Sequence, residues 1–163
     1  MEENKKRPLR KVSFSKTETV HILKYADING ADRLYGGTLL SWIDDIGALT
    51  AIRHAGMDVT TAAIDNLVFK KGAKKNDIII LTGRVTYVGS SSMEVRVDSY
   101  VEGFDGMRTP INRAYLTYVC IDENGTPVQV PFDIEIETES ERAEYEAAKL
   151  RKKNRIYRRK EGF

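Results

Sequence analysis

The stretch GGTLLSWIDDIG, residues 36–47, opens on two glycines and places two aspartates inside an apolar segment. No proline and no cluster of turn residues interrupts the chain from residue 38 to about residue 55, and Gly56 behind it suits the left-handed conformation that often ends helices. The pattern predicts one helix of roughly 18 residues, or about five turns. Burying a charge is costly without a partner, so Asp44 and Asp45 are the first candidates for a functional role.

Large apolar residues cover more than half of the predicted helix when positions are placed at about 100° intervals, which is typical of a helix buried on most of its surface. The remaining sector consists of small residues centred on Asp44. A second helix or a slender ligand could lie against this sector. The alternative is that both aspartates are solvated at an exposed helix edge. The sector contains Gly37, Ser41, Asp44, Gly47, Ala48 and Ala51.

Two adjacent glycines, Gly36 and Gly37, lie at the predicted start of this helix. Backbone N–H groups in the first turn have no acceptors within a helix, and together with the helix dipole they suit a developing oxyanion. Asp44 follows Gly37 two turns later, about 10 Å along the helix axis. The alternative interpretation of the glycine pair is a tight strand-to-helix turn.

The segments around the helix are typical of an antiparallel sheet. Residues 19–24 precede the helix as a strand, and four segments rich in β-branched and aromatic residues follow it, separated by the turn sequences GSS, EGFDG and DENG. The last two dozen residues favour a helix, with Glu early and Lys or Arg late. The chain is therefore predicted to be α+β, with one sheet wrapped around a long central helix and a second helix at the C-terminus.

Composition and charge fit one domain of 163 residues. Residues 1–16 are expected to form a flexible basic arm, residues 17–136 the main domain, and residues 137–163 a charged helical tail. A net charge of +2 is too small to indicate nucleic-acid binding. The N-terminus is polar up to Val12, and no apolar run approaches the roughly 18 residues of a membrane span. We therefore expect a cytoplasmic protein with no nucleic-acid or membrane partner.

Few side chains suit nucleophilic or metal chemistry. The one cysteine, Cys120, excludes an intrachain disulfide and is interpreted as a buried structural thiol rather than a reactive one. The two histidines, His21 and His54, fall on a strand and near a helix end. A shared Ser-His-Asp set is therefore not expected, each histidine is interpreted as structural, and no metal site is predicted.

The segment DINGADRLYGGTLLSWIDD, residues 27–45, resembles the signature of the hot-dog-fold acyl-coenzyme A thioesterases, which include bacterial short- and medium-chain hydrolases and the brain-type acyl-CoA hydrolase. GSSSMEVRV, residues 89–97, resembles a turn and strand of that family, and AYLTYVCIDENGTPVQVP, residues 114–131, resembles its penultimate strand and hairpin. The similarity extends over nearly the whole chain after Thr17. It implies the hot-dog fold and the hydrolysis of acyl-CoA thioesters.

The resemblance also implies roles for residues at the motif positions. Asp44 corresponds to the catalytic aspartate, whereas Asp45 is a neighbour that the motif does not require. Asn29 corresponds to an asparagine that approaches the thioester across a dimer interface. Gly37 and Thr38 correspond to the helix start that binds the thioester oxygen. The implied reaction yields a fatty acid and coenzyme A, with Asp44 as general base or as nucleophile.

Coenzyme A is part of the substrate in this interpretation, and no separate cofactor is expected. Ser90, Ser91 and Ser92 correspond to the turn that contacts it, although Ser90 stands where the family often has a basic residue. Asp32 and Arg33 replace a common Gly-Asn pair. Cations of the basic tail could bind the phosphates of coenzyme A, and the alternative is that they form solvated helix surface. The candidates for phosphate contact are Arg151, Lys152, Arg155 and Arg158.

The resemblance further implies a homodimer that assembles into a hexamer, as a trimer of dimers. Two other functions stay open for the same fold. One is a non-catalytic sensor of acyl-CoA, which the carboxylate of Asp44 disfavours because a sensor should not destroy its ligand. The other is a hydroxyacyl thioester dehydratase, whose chemistry usually needs a histidine beside the acid, and no histidine falls in the first turns of the central helix.

Overall fold

The computed structural model of the chain describes residues 6–163, so residues 1–5 of the expected basic arm lie outside the described residues. Seven strands, three α-helices and a short 3-10 turn at Tyr25–Asp27 follow one another along this part of the chain. In chain order the elements are β1 (Leu9–Lys11), α1 (Val12–Ser15), β2 (Thr17–Ile22), α2 (Gly36–Ala55), β3 (Val59–Phe69), β4 (Ile78–Val88), β5 (Ser92–Glu102), β6 (Arg108–Cys120), β7 (Asp133–Glu135) and α3 (Glu139–Glu161).

The main sheet has five strands in the order β2-β4-β5-β6-β3, and every neighbouring pair is antiparallel. Helix α2 contacts all five of these strands. The α+β architecture predicted from the sequence, a sheet wrapped around one long helix with a second helix at the C-terminus, is therefore confirmed. Strands β2 and β3 form the two edges of the sheet.

Strand β5 shows that both faces of the sheet are covered. Met93, Val95 and Val97 are fully buried in the apolar core on the α2 side. The alternate residues Glu94 and Arg96 are also buried, and they contact α3 on the opposite side. The molecule thus has three layers, with an apolar interior under α2 and a charged interior under α3.

Helix α2 begins two residues earlier than expected and ends where expected, because Gly56 has a φ of 70° and its N–H donates to the carbonyl oxygen of Ile52 over 2.7 Å. The small-residue sector of this helix is only partly open, since Gly37 and Ser41 are exposed whereas the sector closes towards its C-terminal end. Gly47 and Ala51 are buried against the sheet, since their lack of bulk lets the helix approach the strands. Conversely, Leu49 is 37% exposed although the pattern predicted burial around most of the helix.

Much of the segment expected to be a flexible arm is ordered, which corrects that expectation for residues 9–15. Strand β1 pairs in parallel with β7. The Arg10 guanidinium donates from Nη1 to the carbonyl oxygens of Arg53, over 3.1 Å, and His54, over 2.6 Å, at the C-terminus of α2. It also lies over the rings of Phe14 and Phe132. Cations favour a helix C-terminus, so the arm gains a specific attachment.

Helix α3 has the end signals of an independent helix. The side chain of Thr138 accepts from the N–H of Glu141, whose carboxylate accepts in turn from the N–H of Thr138, and Gly162 ends the helix with a φ of 81°.

In the part of the chain that the structure describes, no helix combines the length and apolarity that a membrane crossing requires.

Candidate active site

Asp44 lies half-buried on α2, where its carboxylate faces strands β3 and β6. The hydroxyl of Thr61 donates to Asp44 Oδ1 over 2.8 Å. The hydroxyl of Tyr118 lies 3.2 Å from the same oxygen and 3.0 Å from the backbone carbonyl oxygen of Asp44. Both donors approach Oδ1, and Oδ2 makes no hydrogen bond to any described residue. Asp45 is exposed, so the two aspartates are in different surroundings.

Tyr118 is fully buried and acts as a hydrogen-bond donor. Burial raises the pKa of this phenol well above its ordinary value, and the negative charge of Asp44 raises it further. The hydroxyl therefore keeps its proton at any pH at which the protein would work. Its approach to α2 depends on Gly47, because a Cβ at that position would overlap the hydroxyl oxygen.

Thr61 reaches Asp44 from an irregular part of β3. The register between β3 and β6 shifts between Thr61 and Ala63, and such bulges re-aim side chains near functional sites. The sequence analysis missed both Thr61 and Tyr118. A signal for Tyr118 exists, since a tyrosine in a buried strand needs a partner for its hydroxyl and Gly47 leaves room one turn after Asp44. No comparable signal marks Thr61.

The start of α2 presents free backbone donors, as the glycine pair suggested. The first helical hydrogen bond runs from the N–H of Leu39 to the carbonyl oxygen of Tyr35, over 3.1 Å. The N–H groups of Gly36, Gly37 and Thr38 have no acceptor among the described residues, and no side chain caps this helix. A Cβ on Gly37 would lie 2.6 Å from Cε1 of Tyr35, so a larger residue would disturb the turn that presents these donors.

Asn29 lies near this helix start but not at Asp44. It lines a cavity of about 340 Å³ together with Gly36 and Leu39. Its Oδ1 accepts from the N–H of Ala31 over 2.9 Å, which holds the loop in a turn. Among the described residues no hydrogen bond joins Asn29 to Asp44. Within one chain the predicted catalytic residues therefore fall into two separate groups. Asn29 lies with the helix start, and Asp44 lies apart from it, with Thr61 and Tyr118.

The three serines at the turn between β4 and β5 lie beside α3. The N–H of Gly89 donates to the carbonyl oxygen of Ser92 over 2.7 Å, and the N–H of Cys120 donates to that of Ser91 over 2.9 Å. The carbonyl oxygen of Ser90 accepts from the N–H of Val130 over 2.8 Å. A cavity of about 200 Å³ opens next to this turn, and its lining includes Ser91, Ser92, Lys152, Arg155 and Arg159.

The predicted phosphate-binding cations fall into two groups. Arg151 pairs with Glu94 over 2.8 Å, Arg158 pairs with Asp65 over 2.9 Å, and Arg155 pairs with both carboxylates. These three arginines neutralise buried acids of the sheet, and their contact with phosphate stays a prediction. Arginine suits this role because its planar fork matches a carboxylate.

Lys152 differs from these arginines because its contacts are to a tyrosine rather than to an acid. Its Nζ lies 3.4 Å from the hydroxyl of Tyr87 and above that ring. Arg159, which the sequence analysis did not select, lines the same cavity as Lys152. Neither cation forms an ion pair with an acid among the described residues. The cavity beside the serine turn therefore carries two uncompensated positive charges.

Other reactive groups of the chain lie away from these features. Burial raises the pKa of the Cys120 thiol to about 11, which keeps it protonated and unreactive. His54 is fully buried with Nδ1 3.3 Å from the hydroxyl of Ser15. His21 stacks on Trp42 with ring centroids 4.0 Å apart. Residues 6–163 contain no cluster of three or more acidic, histidine or cysteine side chains arranged for a metal ion.

Known proteins resemble this chain in both sequence and structure. The family model of the thioesterase superfamily matches residues 32–103. The uncharacterized acyl-CoA thioester hydrolase YkhA of Bacillus subtilis is 42% identical over 106 residues, which are 64% of this chain and 62% of that protein. The chain also spans 37% of the length of the mammalian cytosolic acyl coenzyme A thioester hydrolases that it matches.

Solved structures match over almost the whole chain. The acyl-CoA hydrolase of Staphylococcus aureus, in complex with butyryl coenzyme A, coenzyme A and coenzyme A disulfide, is 36% identical with a TM-score of 0.89 and covers 95% of this chain and 94% of its own. An apo-hexameric acyl-CoA thioesterase is 39% identical with a TM-score of 0.88, covering 93% of this chain and 97% of its own. Because both its sequence and its structure match these proteins, the chain belongs to the thioesterase superfamily and has the hot-dog fold.

Proposed function

We propose that this protein hydrolyses acyl-CoA thioesters to a fatty acid and coenzyme A. The observation that carries the proposal is the orientation of Asp44, because Thr61 and Tyr118 both donate to Oδ1 and leave Oδ2 free to face a reactant. A carboxylate held in this way can take a proton from water, a contribution of roughly 10² to 10⁴ in rate. It can also attack the thioester itself and form an anhydride, which water then hydrolyses to release the fatty acid and restore the carboxylate of Asp44.

The start of α2 supplies the second requirement of the reaction. When water or Asp44 attacks the thioester carbon, the carbonyl oxygen becomes an oxyanion. The N–H groups of Gly37 and Thr38 are placed to donate to such an oxygen, and the helix dipole stabilises its charge. When the tetrahedral intermediate collapses, the carbon–sulfur bond breaks and coenzyme A leaves as its thiolate, which then takes up a proton.

We further propose that the site is completed by a second copy of the chain, in a homodimer that assembles into a hexamer. Gly37 and Asp44 lie about 10 Å apart along α2, and Asn29 does not reach Asp44 within one chain. Thr61 lies on β3, an edge strand of the sheet. Edge strands expose backbone groups that can pair with another chain, so a partner could meet this chain beside Asp44.

Related structures support these assignments in two ways, through the types of residue that were substituted in them and through their oligomeric state. The Staphylococcus aureus hydrolase was studied with an aspartate, an asparagine and a threonine replaced by alanine. Asp44, Asn29 and Thr61 are residues of those three types in the proposed site. Several relatives are described as hexameric. The rat relative is named as cytosolic, which supports the cytoplasmic location that we propose.

The serine turn and the two uncompensated cations support the placement of coenzyme A. Ser91 and Ser92 offer polar contacts, while Lys152 and Arg159 offer positive charge on the same cavity. The pyrophosphate and 3′-phosphate of coenzyme A need such charges. We therefore place the nucleotide portion against α3 and the turn at residues 89–92, with the acyl end directed towards α2.

Thiol release from a panel of acyl-CoA substrates of increasing chain length tests the proposal. We expect release of free coenzyme A that stops when Asp44 is replaced by asparagine. Tight binding of acyl-CoA without thiol release would instead indicate a sensor. Loss of water from a 3-hydroxyacyl-CoA, seen as an enoyl thioester by its ultraviolet absorbance, would indicate a dehydratase.

A further inference from the structure

Arg7, in the N-terminal arm, contacts two separate segments of the fold with one guanidinium, the turn at Gly89 and the stretch from Val130 to Asp133. Its Nη1 donates to the carbonyl oxygen of Gly89 over 2.6 Å and lies 3.3 Å from that of Val130. Its Nη2 donates to Oδ2 of Asp133 over 3.0 Å. The side chain is only 19% exposed. Hydrogen bonds from a charged donor are stronger than neutral ones, so these contacts form a firm attachment.

The segments that Arg7 joins enclose the serine turn. Gly89 begins that turn, and the N–H of Val130 donates to the carbonyl oxygen of Ser90 over 2.8 Å. Asp133 is itself held in place, because its N–H donates to the carbonyl oxygen of Pro8 over 2.9 Å in the β1–β7 pair. The arm, the segment before β7 and the turn therefore form one connected unit.

The opposite side of the turn faces the cations of α3. A Cβ on Gly89 would lie 3.1 Å from Nζ of Lys152, so this ammonium group sits directly against the turn. Arg159 and Ser92 line the cavity beside it. Any displacement of Gly89 would change the separation between the serines and the cations.

We infer that Arg7 is a positioning residue, which fixes the serine turn at the distance from α3 that coenzyme A requires. The inference rests on the proposed function and extends it to a residue of the N-terminal arm. Arg7 contacts the carbonyl oxygen of Gly89 and is not among the residues that line the cavity beside Lys152, so it acts on the ligand through the turn. Contacts to the nucleotide portion are remote from the reacting carbon and are made equally in ground and transition states. The loss of Arg7 should therefore raise KM and leave kcat nearly unchanged.

The test compares R7Q with R10Q in the full chain. Arg10 belongs to the same arm but donates to the end of α2 rather than to the turn, so R10Q controls for general loosening of the arm. Measurements are KM and kcat for a short-chain acyl-CoA, the same constants for the matching acyl-pantetheine, and the Kd of coenzyme A by calorimetry. We expect R7Q to raise KM and Kd about fivefold or more, in line with the loss of one charged hydrogen bond. R10Q should leave KM and Kd nearly unchanged, and both variants should leave the constants for acyl-pantetheine nearly unchanged.

Partial recovery by R7K would support the inference, because lysine can still donate to Gly89 but cannot bridge to Asp133 as well. If R7Q does not fold, R7K and D133N take its place. Each should raise KM for acyl-CoA and the Kd of coenzyme A by a smaller factor than is expected for R7Q. Equal increases of KM for R7Q and R10Q, or an equal increase with acyl-pantetheine, would overturn the inference. A wild-type protein that releases no thiol would remove the proposed function alone, since the Kd of coenzyme A would still report on the turn.

Discussion

The hydroxyl of Tyr118 occupies the space that a side chain on Gly47 would need. A Cβ at residue 47 would overlap the hydroxyl oxygen and lie 3.0 Å from Cζ of Tyr118. This close approach allows the hydroxyl to lie 3.0 Å from the carbonyl oxygen of Asp44 and 3.2 Å from its carboxylate. Glycine within a helix costs up to about 1 kcal/mol relative to alanine, so the contact with Tyr118 explains why α2 carries a glycine here.

We expect Gly47→Ala to destabilise the protein, although the same change in most exposed helices is stabilising. The ring of Tyr118 is fully buried, so it cannot move aside without disturbing the core, and overpacking of this kind costs about 1–3 kcal/mol. Urea denaturation measures the effect. The double variant with Tyr118→Phe removes the overlapping oxygen and should recover part of the loss. An increase in stability for Gly47→Ala alone would contradict this account of the helix contact.

Asp44→Asn should lower kcat by about two orders of magnitude or more, because an amide is too weak a base to take a proton from water. Asp45→Asn is the matched control and should have little effect, since Asp45 is exposed. Thr61→Val, which removes one donor to Oδ1, should lie between the two. Steady-state thiol release measures all three, and a fully active Asp44→Asn protein would rule out this carboxylate as the catalytic group.

We expect the cations of α3 to fall into two classes, those whose replacement changes KM for acyl-CoA and those whose replacement changes stability. Lys152→Gln combined with Arg159→Gln should raise KM for acyl-CoA several-fold at low salt and reduce its dependence on ionic strength, because exposed charges are screened by salt. Acyl-pantetheine, which lacks the phosphates, should be unaffected. Arg155→Met should instead lower stability by roughly 1–3 kcal/mol, since buried Asp65 and Glu94 each lose one of their two arginine partners. A rise in KM for Arg155→Met, together with a loss of stability for the Lys152 and Arg159 double variant, would instead identify Arg155 as the phosphate ligand.

Stability should fall between pH 6.5 and pH 4 because of His54. Burial first, and then the positive charge of Arg10, lower the pKa of this histidine from 6.5 to about 4. The unfolded chain therefore binds a proton at a higher pH than the folded protein does. The stabilisation is complete above pH 6.5 and is lost as the pH falls towards 4. The loss amounts to at most about 3 kcal/mol.

Urea denaturation at intervals from pH 7 to pH 5 isolates this effect, because most carboxylates titrate below that interval. His54→Gln should flatten the slope of stability against pH, whatever its effect on stability at pH 7. His21→Gln is the comparison variant. Burial also lowers the pKa of His21, but this side chain is only half-buried, so its replacement should flatten the slope less than His54→Gln. A slope that His54→Gln leaves unchanged would assign the pH dependence to other groups.

Mixing two inactive variants tests whether subunits share a site. If Asn29 of one copy serves Asp44 of another, an Asp44→Asn protein mixed with an Asn29→Ala protein can form an intact site once subunits exchange. Random exchange in an equal mixture makes half of the dimers mixed, and each mixed dimer has one intact site of two, so we expect up to about a quarter of wild-type activity to return. Sedimentation at the assay concentration is the companion measurement. A monomer with full activity would contradict a shared site.

The sequence predicted those features that depend on local pattern. The end of α2 follows from Gly56, and the position of Asp44 on the helix follows from the 3.6-residue period. Thr61 could not be found in this way, because its contact with Asp44 depends on a bulge that shifts the register of β3 against β6. The roles of Arg151 and Arg155 also escaped prediction, since they depend on which acids of the sheet lie beneath α3.

Helix α3 is aligned on the sheet by charge rather than by shape. Ala148 is its only fully buried residue, and all of α3 belongs to the described part of the chain. A helix on an apolar surface can rotate at modest cost, whereas here one residue added or removed within α3 would turn the following arginines by about 100° and carry Arg151 or Arg155 away from Glu94. The buried acids of the sheet therefore fix the orientation of α3 through the spacing of its arginines. We expect insertions or deletions within α3 to be tolerated far less well than substitutions on its outer side.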